Sequence, residues 1–186
     1  MSLNQWFEKG ISANDYINAM EKNKEGLLHI KQSFQLPNDE AFFENMKDKN
    51  IRAIVLTEDW CGDAMLNIPI LLNFAEKIDM EVRMLLRDQN LELMDQYLTN
   101  GTARSIPIFI FINEEGEEVA KWGPRASEVQ RFVDETRSSL PPKDAADYQE
   151  KANELYAGMQ KEFQQNVNFW SFVYQSIKSA LQKAYQ

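Results

Sequence analysis

The only cysteine of the chain, Cys61, stands in Thr57-Glu58-Asp59-Trp60-Cys61-Gly62-Asp63-Ala64, between an apolar run ending at Leu56 and a second running from Met65 to Ile78. That pattern places the thiol where a strand gives way to a helix. The first N–H groups of a helix have no internal partner and carry the positive end of its dipole, which favours thiolate and makes the sulfur a nucleophile. Asp63 in the first turn, with Glu58 and Asp59 nearby, acts in the opposite sense by like-charge repulsion. Each effect is worth about one pKa unit, so the residues leave the sign open. Two plainer readings stand beside the chemical ones. A free cysteine is often just a small buried apolar residue, and aspartate is favoured in a first turn whether or not it moves protons.

The elements that must hold this thiol can be read outward from it. Residues 51–56 predict a strand, about 61–78 a helix, 82–86 a second strand, and about 90–98 a helix closed by Asn100-Gly101. Ile106 to Ile112 follows as a strand buried on both faces, and Asn113 to Glu117 turns it into a hairpin with Val119-Ala120-Lys121-Trp122. Ser127 with Gln130 predicts the cap of a further helix. Strands separated by helices are expected to be parallel neighbours, while the tight turn at Gly116 forces an antiparallel pair, so the sheet is mixed. The expected organisation is an α/β domain over residues 51–140 with a four-stranded mixed sheet, a helical extension at 1–50 and another at 141–186.

In the first extension, Ser12 and Asp15 have capping-box spacing, Gly26 interrupts the helical pattern, and Asn38 is the expected cap of a helix carrying Phe42, Phe43 and Met46. After Pro141-Pro142, apolar residues from Tyr148 to Leu181 recur at helical spacing, as one long helix or two in sequence, widened by Phe169, Phe172 and Val173. Such an aromatic face must be covered, either by the chain's own core or by a second copy or another partner.

With 29 acidic against 20 basic residues, net charge −9, and no basic cluster, nucleic acid and anionic membranes are poor partners. No apolar run is long enough to cross a bilayer, and the N-terminus shows no secretory signal pattern. One cysteine forms no internal disulfide, so a reducing cytoplasm is the expected location. His29, the only histidine, has no companion ligands, and no metal or resident cofactor is expected.

Residues 51–140 resemble the thioredoxin family. Trp60-Cys61-Gly62 matches the front of its Trp-Cys-Gly-Pro-Cys motif, and Pro69 falls where the family kinks its active-site helix. Arg104-Ser105-Ile106-Pro107 is similar to the stretch ending in the family's cis-proline, and Gly123 also fits. The resemblance implies a thioredoxin fold, with Cys61 as nucleophile; Asp63, in the first turn beside it, is the second candidate catalytic residue, through proton transfer. It also implies a substrate groove formed by Trp60, Gly62, Arg104, Ile106 and Pro107, in which Arg104 beside Pro107 would offset the local negative charge. The departures bear on function. Ala64 replaces the resolving cysteine, Asp63 the proline before it, and Val55 stands where the family carries a buried acid. A buried carboxylate with nothing to deprotonate only costs desolvation energy, so both halves of the dithiol machinery are missing together.

Two functions follow as expectations. In the first, Cys61 forms a mixed disulfide with a protein or low-molecular-weight thiol, the latter serving as co-substrate, and an external thiol resolves it. In the second, the fold is a redox-inert binding module that uses the groove and the helical flanks. Peroxide reduction is disfavoured because Glu58 replaces the threonine or serine of the peroxide-reducing relatives. Iron–sulfur binding is disfavoured because Asp63-Ala64 does not match the Phe-Ser pair of monothiol glutaredoxins.

Overall fold

A computed structural model describes all 186 residues. Four short helices, α1 (Leu3–Lys9), α2 (Ala13–Ala19), α3 (Lys24–Ser33) and α4 (Glu40–Lys47), precede the first long strand, with a two-residue strand β1 (Ile11–Ser12) between α1 and α2. Then come β2 (Arg52–Thr57), α5 (Gly62–Lys77), β3 (Val82–Leu86), a 3-10 turn, one-turn α6 (Leu91–Met94), β4 (Ile108–Ile112), β5 (Glu118–Trp122) and α7 (Ser127–Ser138). Two helices end the chain, α8 (Tyr148–Gln165) and α9 (Val167–Ala184).

The sheet is mixed, in the order β1-β3-β2-β4-β5. β2 runs parallel to β3, with Val55 opposite Met84, and antiparallel to β4, with Val55 opposite Phe109. Four of these strands are the expected ones, and β1 adds a fifth on the β3 edge by pairing Ile11 with Met84. Two residues are too few to show a period of two, which is why composition hides this strand. Contrary to expectation, β3 and β4 are not parallel neighbours. The expected helix over 90–98 shrinks to the single turn of α6, and β4 starts at the end of the sheet where β3 finishes, so no return helix is needed. Ala53 to Leu56 and Phe109 to Ile112 are fully buried, as continuous apolar strands covered on both faces must be.

Three local expectations are corrected by packing. Gly26 does not interrupt a helix; it lies in the first turn of α3, where a Cβ would collide with Met65 Sδ. Asp39, not Asn38, precedes α4, and its carboxylate instead accepts from Tyr174 Oη and Lys178 Nζ of α9, both at 2.8 Å. Ser127 does not cap α7, whose N-terminal cap is Ala126; Gln130 instead accepts from Arg125. Ser12 does cap α2, accepting from the Asp15 amide at 3.0 Å.

The C-terminal pattern is two helices broken at Asn166, whose side chain caps α9. Trp170, Val173, Tyr174, Ile177 and Leu181 enter the same core as the sheet. Tyr174 lies among Phe34, Phe43 and Phe74, and Trp170 Nε1 donates to the Phe163 carbonyl at 2.8 Å, tying α9 back to α8. The aromatic face is therefore largely spent inside the chain, leaving Phe172 and Val167 exposed. No helix is long and apolar enough to cross a membrane.

Because Ile177 is 2% exposed, Ile177→Ala is expected to lower unfolding free energy by about 2–4 kcal/mol. Urea unfolding checks this; a loss below about 0.5 kcal/mol, the range of ordinary surface changes, would mean that α9 is not part of the core.

Candidate functional site

Three segments converge at the N-terminal end of α5: Trp60 to Asp63, Ile106-Pro107 and Gly123 to Arg125. The Ile106–Pro107 and Gly123–Pro124 peptide bonds are both cis. Gly123 has φ of 128°, and a Cβ on it would collide with the Pro107 carbonyl oxygen, so only glycine lets these two segments touch.

Cys61 is the N-terminal cap residue of α5. Its Sγ accepts from the Ala64 amide at 3.4 Å, and its thiol donates to the Ile106 carbonyl at 3.5 Å. The residue is 8% exposed. Burial pushes the thiol up to about 11, with the Asp63 carboxylate reinforcing the shift and the amides of Ala64 and Asp63, with the Arg125 cation, opposing it. The contest left open by the residues is thus decided by desolvation, and at neutral pH the sulfur carries its proton. The helix terminus by itself does not produce a thiolate here.

Only one of the nearby acids acts on the thiol. Glu58 is turned to the loop after β3, where Oε1 accepts from the Asp88 amide at 2.9 Å. Asp59 Oδ2 accepts from the amides of Glu21 and Lys22 at 2.9 and 3.1 Å, anchoring the connection from α2 to α3. Asp63 instead meets Arg125 in a two-pronged pair, Nε to Oδ1 and Nη2 to Oδ2 both at 2.6 Å, with the side chains 14% and 13% exposed. Arg125 Nη1 continues to Gln130 Oε1 at 2.8 Å. Arg104 does not supply the offsetting charge as expected; its guanidinium is held by Asp95 at 2.6 and 2.9 Å. Its carbonyl serves the rim, accepting from Arg87 Nη1 at 3.0 Å, while the Arg87 guanidinium stands 5.0 Å from the centre of the Trp60 ring. Trp60 itself is 45% exposed.

Residues that sequence reasoning missed complete the surroundings. Tyr16 Oη lies 3.1 Å from Thr57 Oγ1 at the end of β2, and burial holds this phenol well above its ordinary range. Asn67, fully buried on α5, donates to the Pro124 carbonyl at 2.9 Å. Gln160 of α8 rests against Gly62, its Cγ 3.5 Å from where a Cβ would stand. Arg125 had one signal, its place directly after Gly123-Pro124; Tyr16 and Gln160 had none, since long-range contacts brought them in. Ala64 is buried at the resolving position, and Val55 packs within the sheet with no acid in its place. No group of three or more histidine, cysteine, aspartate or glutamate residues is placed to hold a metal ion. His29 lies edge-on to Trp170.

Comparison with known proteins agrees with this architecture. The family model described as Thioredoxin matches residues 10–137. No curated protein matches the chain. Among solved structures, a Pseudomonas aeruginosa protein of unknown function is similar with a TM-score of 0.70 and 15% identity, covering 99% of both chains. An HIV epitope-scaffold has a TM-score of 0.60 and 16% identity over 93% of this chain and 98% of its own. A thioredoxin from Fasciola hepatica is 22% identical over 52% of this chain and 88% of its own, with a TM-score of 0.34. The first two likenesses extend the shared fold across both helical flanks.

The Asp63–Arg125 pair generates a stability prediction. Arg125→Met leaves a largely buried carboxylate unpaired and is expected to cost about 3 kcal/mol, whereas Arg125→Met combined with Asp63→Asn recovers most of that loss. Urea unfolding of the singles and the double checks the coupling; simple additivity would show that the pair is not a unit.

Proposed function

This chain belongs to the thioredoxin family, and we propose that it acts within it as a monothiol exchange protein. The observation that supports this reading is Cys61 Sγ at the N-terminal cap of α5, against the carbonyl that precedes cis-Pro107, with Ala64 where a resolving thiol would be. Cys61 as thiolate attacks one sulfur of an external disulfide. That S–S bond breaks, the leaving thiolate takes up a proton, and a mixed disulfide to Cys61 forms. A second external thiol then attacks the adduct and restores Cys61. Ala64 offers no internal route, so dithiol reduction of protein disulfides is not part of the activity. The amides of Ala64 and Asp63 and the Arg125 cation stabilise the transient thiolate, and Asp63 holds Arg125 in position rather than moving a proton.

The raised thiol slows this chemistry without abolishing it. A rise from about 9 to about 11 means about a hundredfold less thiolate at neutral pH, but each thiolate is more nucleophilic by about sixfold to tenfold, leaving a net loss of about tenfold to fifteenfold. The same shift makes Cys61 a poor leaving group, so the adduct persists until a thiol removes it.

A second reading has its own support. A thiol that is 8% exposed and protonated at rest also suits a redox-silent module, in which the groove beside Trp60 and Pro107 holds an extended peptide. One experiment separates the two. Incubation with oxidised glutathione is expected to give an adduct, seen by intact mass, on the native protein and not on Cys61→Ser. Its rate should rise about tenfold per pH unit between pH 7 and 9 as thiolate supply grows. No adduct anywhere in that range would leave the binding module as the function.

A further inference from the structure

We propose that α8 limits the partners of Cys61 to low-molecular-weight disulfides, with Gln160 as the specificity-determining residue. The proposal rests on the monothiol reading and adds to it a substrate class.

The wall beside the nucleophile is built from outside the segment that the family model matches. Gly62 has no side chain of its own, and Gln160 stands directly beside it, its Cγ and Nε2 at ordinary contact distances of 3.5 and 3.6 Å from the position a Cβ would occupy. The stretch of α8 that carries Gln160 is held from several sides. The neighbours of Gln160 on the inner face of α8, Met159 and Phe163, are 6% and 2% exposed. Phe163 packs edge-on to Phe132 of α7 and to Phe169 of α9, and its carbonyl accepts from Trp170 Nε1. One turn further on, Gln164 closes against Gly26 of α3. α8 is therefore clamped between α3, α5, α7 and α9, directly over the first residue of α5.

The opposite rim is different. Trp60 is 45% exposed, with the Arg87 guanidinium over its ring. Access to Cys61 is thus one-sided. A disulfide between two small thiols can bring a sulfur in past Trp60. A disulfide on a folded protein carries backbone on both sides of the sulfur pair, and one side would run into α8. In the permitted reaction the Cys61 thiolate displaces one small thiolate from the disulfide. One S–S bond forms as one breaks, and the displaced thiolate is protonated from water, so no further oxidant or reductant is required.

The test compares two thiol reagents on the native protein, methyl methanethiosulfonate and a polyethylene-glycol maleimide, each normalised to its rate on the chain unfolded in urea. Both consume thiolate, so their ratio cancels the protonation of Cys61. The native bulky-to-small ratio is expected to fall by on the order of tenfold below the unfolded reference, since access as well as thiolate supply sets cysteine reactivity. Gln160→Ala should raise that ratio severalfold, and Gln164→Ala, which uncovers Gly26 instead, should leave it unchanged. Equal native and unfolded ratios would overturn the proposal while glutathione adduct formation still upheld the monothiol reading. An equal rise in both variants would overturn the assignment to Gln160. Failure of the small reagent to modify native Cys61 would overturn the proposal together with the reading beneath it.

Discussion

A single sulfur atom is held between the amide of Ala64 and the carbonyl of Ile106 at 3.4 and 3.5 Å, and the behaviour of the site follows from how little water reaches it. A sulfur at a helix N-terminus gains from the unpaired amides, but that gain competes with the cost of placing a charge where water is excluded. Here the second effect is larger. The thiol proton then has a defined acceptor in the Ile106 carbonyl, so the neutral form is the one the structure solvates. The helix end remains useful at the moment of reaction, because the same amides meet the thiolate once it forms.

The surrounding charges are arranged to keep that balance from tipping further. Glu58 and Asp59 are held by backbone amides of other loops and form no contact with the sulfur. Asp63 is not held in that way; it sits in the first turn of α5, and Arg125 neutralises it through two short hydrogen bonds. The loop that presents Arg125 is in turn fixed by Gly123 against Pro107 and by Asn67 against Pro124. A member of a dithiol family that lacks the resolving thiol thus has an ion pair linking α5 to the loop after β5.

Much of this was legible in the residues themselves. The continuous apolar runs of β2 and β4, the long helix after Cys61, the hairpin at Gly116 and the Trp60-Cys61-Gly62, Pro69, Pro107 and Gly123 landmarks are local signals, and they carry the α/β fold and the position of the thiol. The misreadings arose where a distant contact overrode a local preference. Gly26 reads as a breaker because its packing against Met65 is invisible in one dimension. Arg104, close to Pro107 in sequence, reads as the counter-charge, and only the position of Asp95 shows that it is already occupied, while Arg125 takes that place beside Asp63. The burial of Cys61, which decides its protonation, depends on the fold as a whole and has no sequence signature.

The most direct measurement is a titration of Cys61 itself, following the chemical shift of an isotope-labelled cysteine β-carbon in the folded protein by NMR. A midpoint near 11, well above the roughly 8.5 of an ordinary cysteine, is the predicted result, with the unfolded chain returning to the ordinary value. A midpoint at or below about 7, the range of thiols activated by a helix terminus, would contradict the account, because it would mean that the helix end and Arg125 outweigh burial and that Cys61 rests as a thiolate.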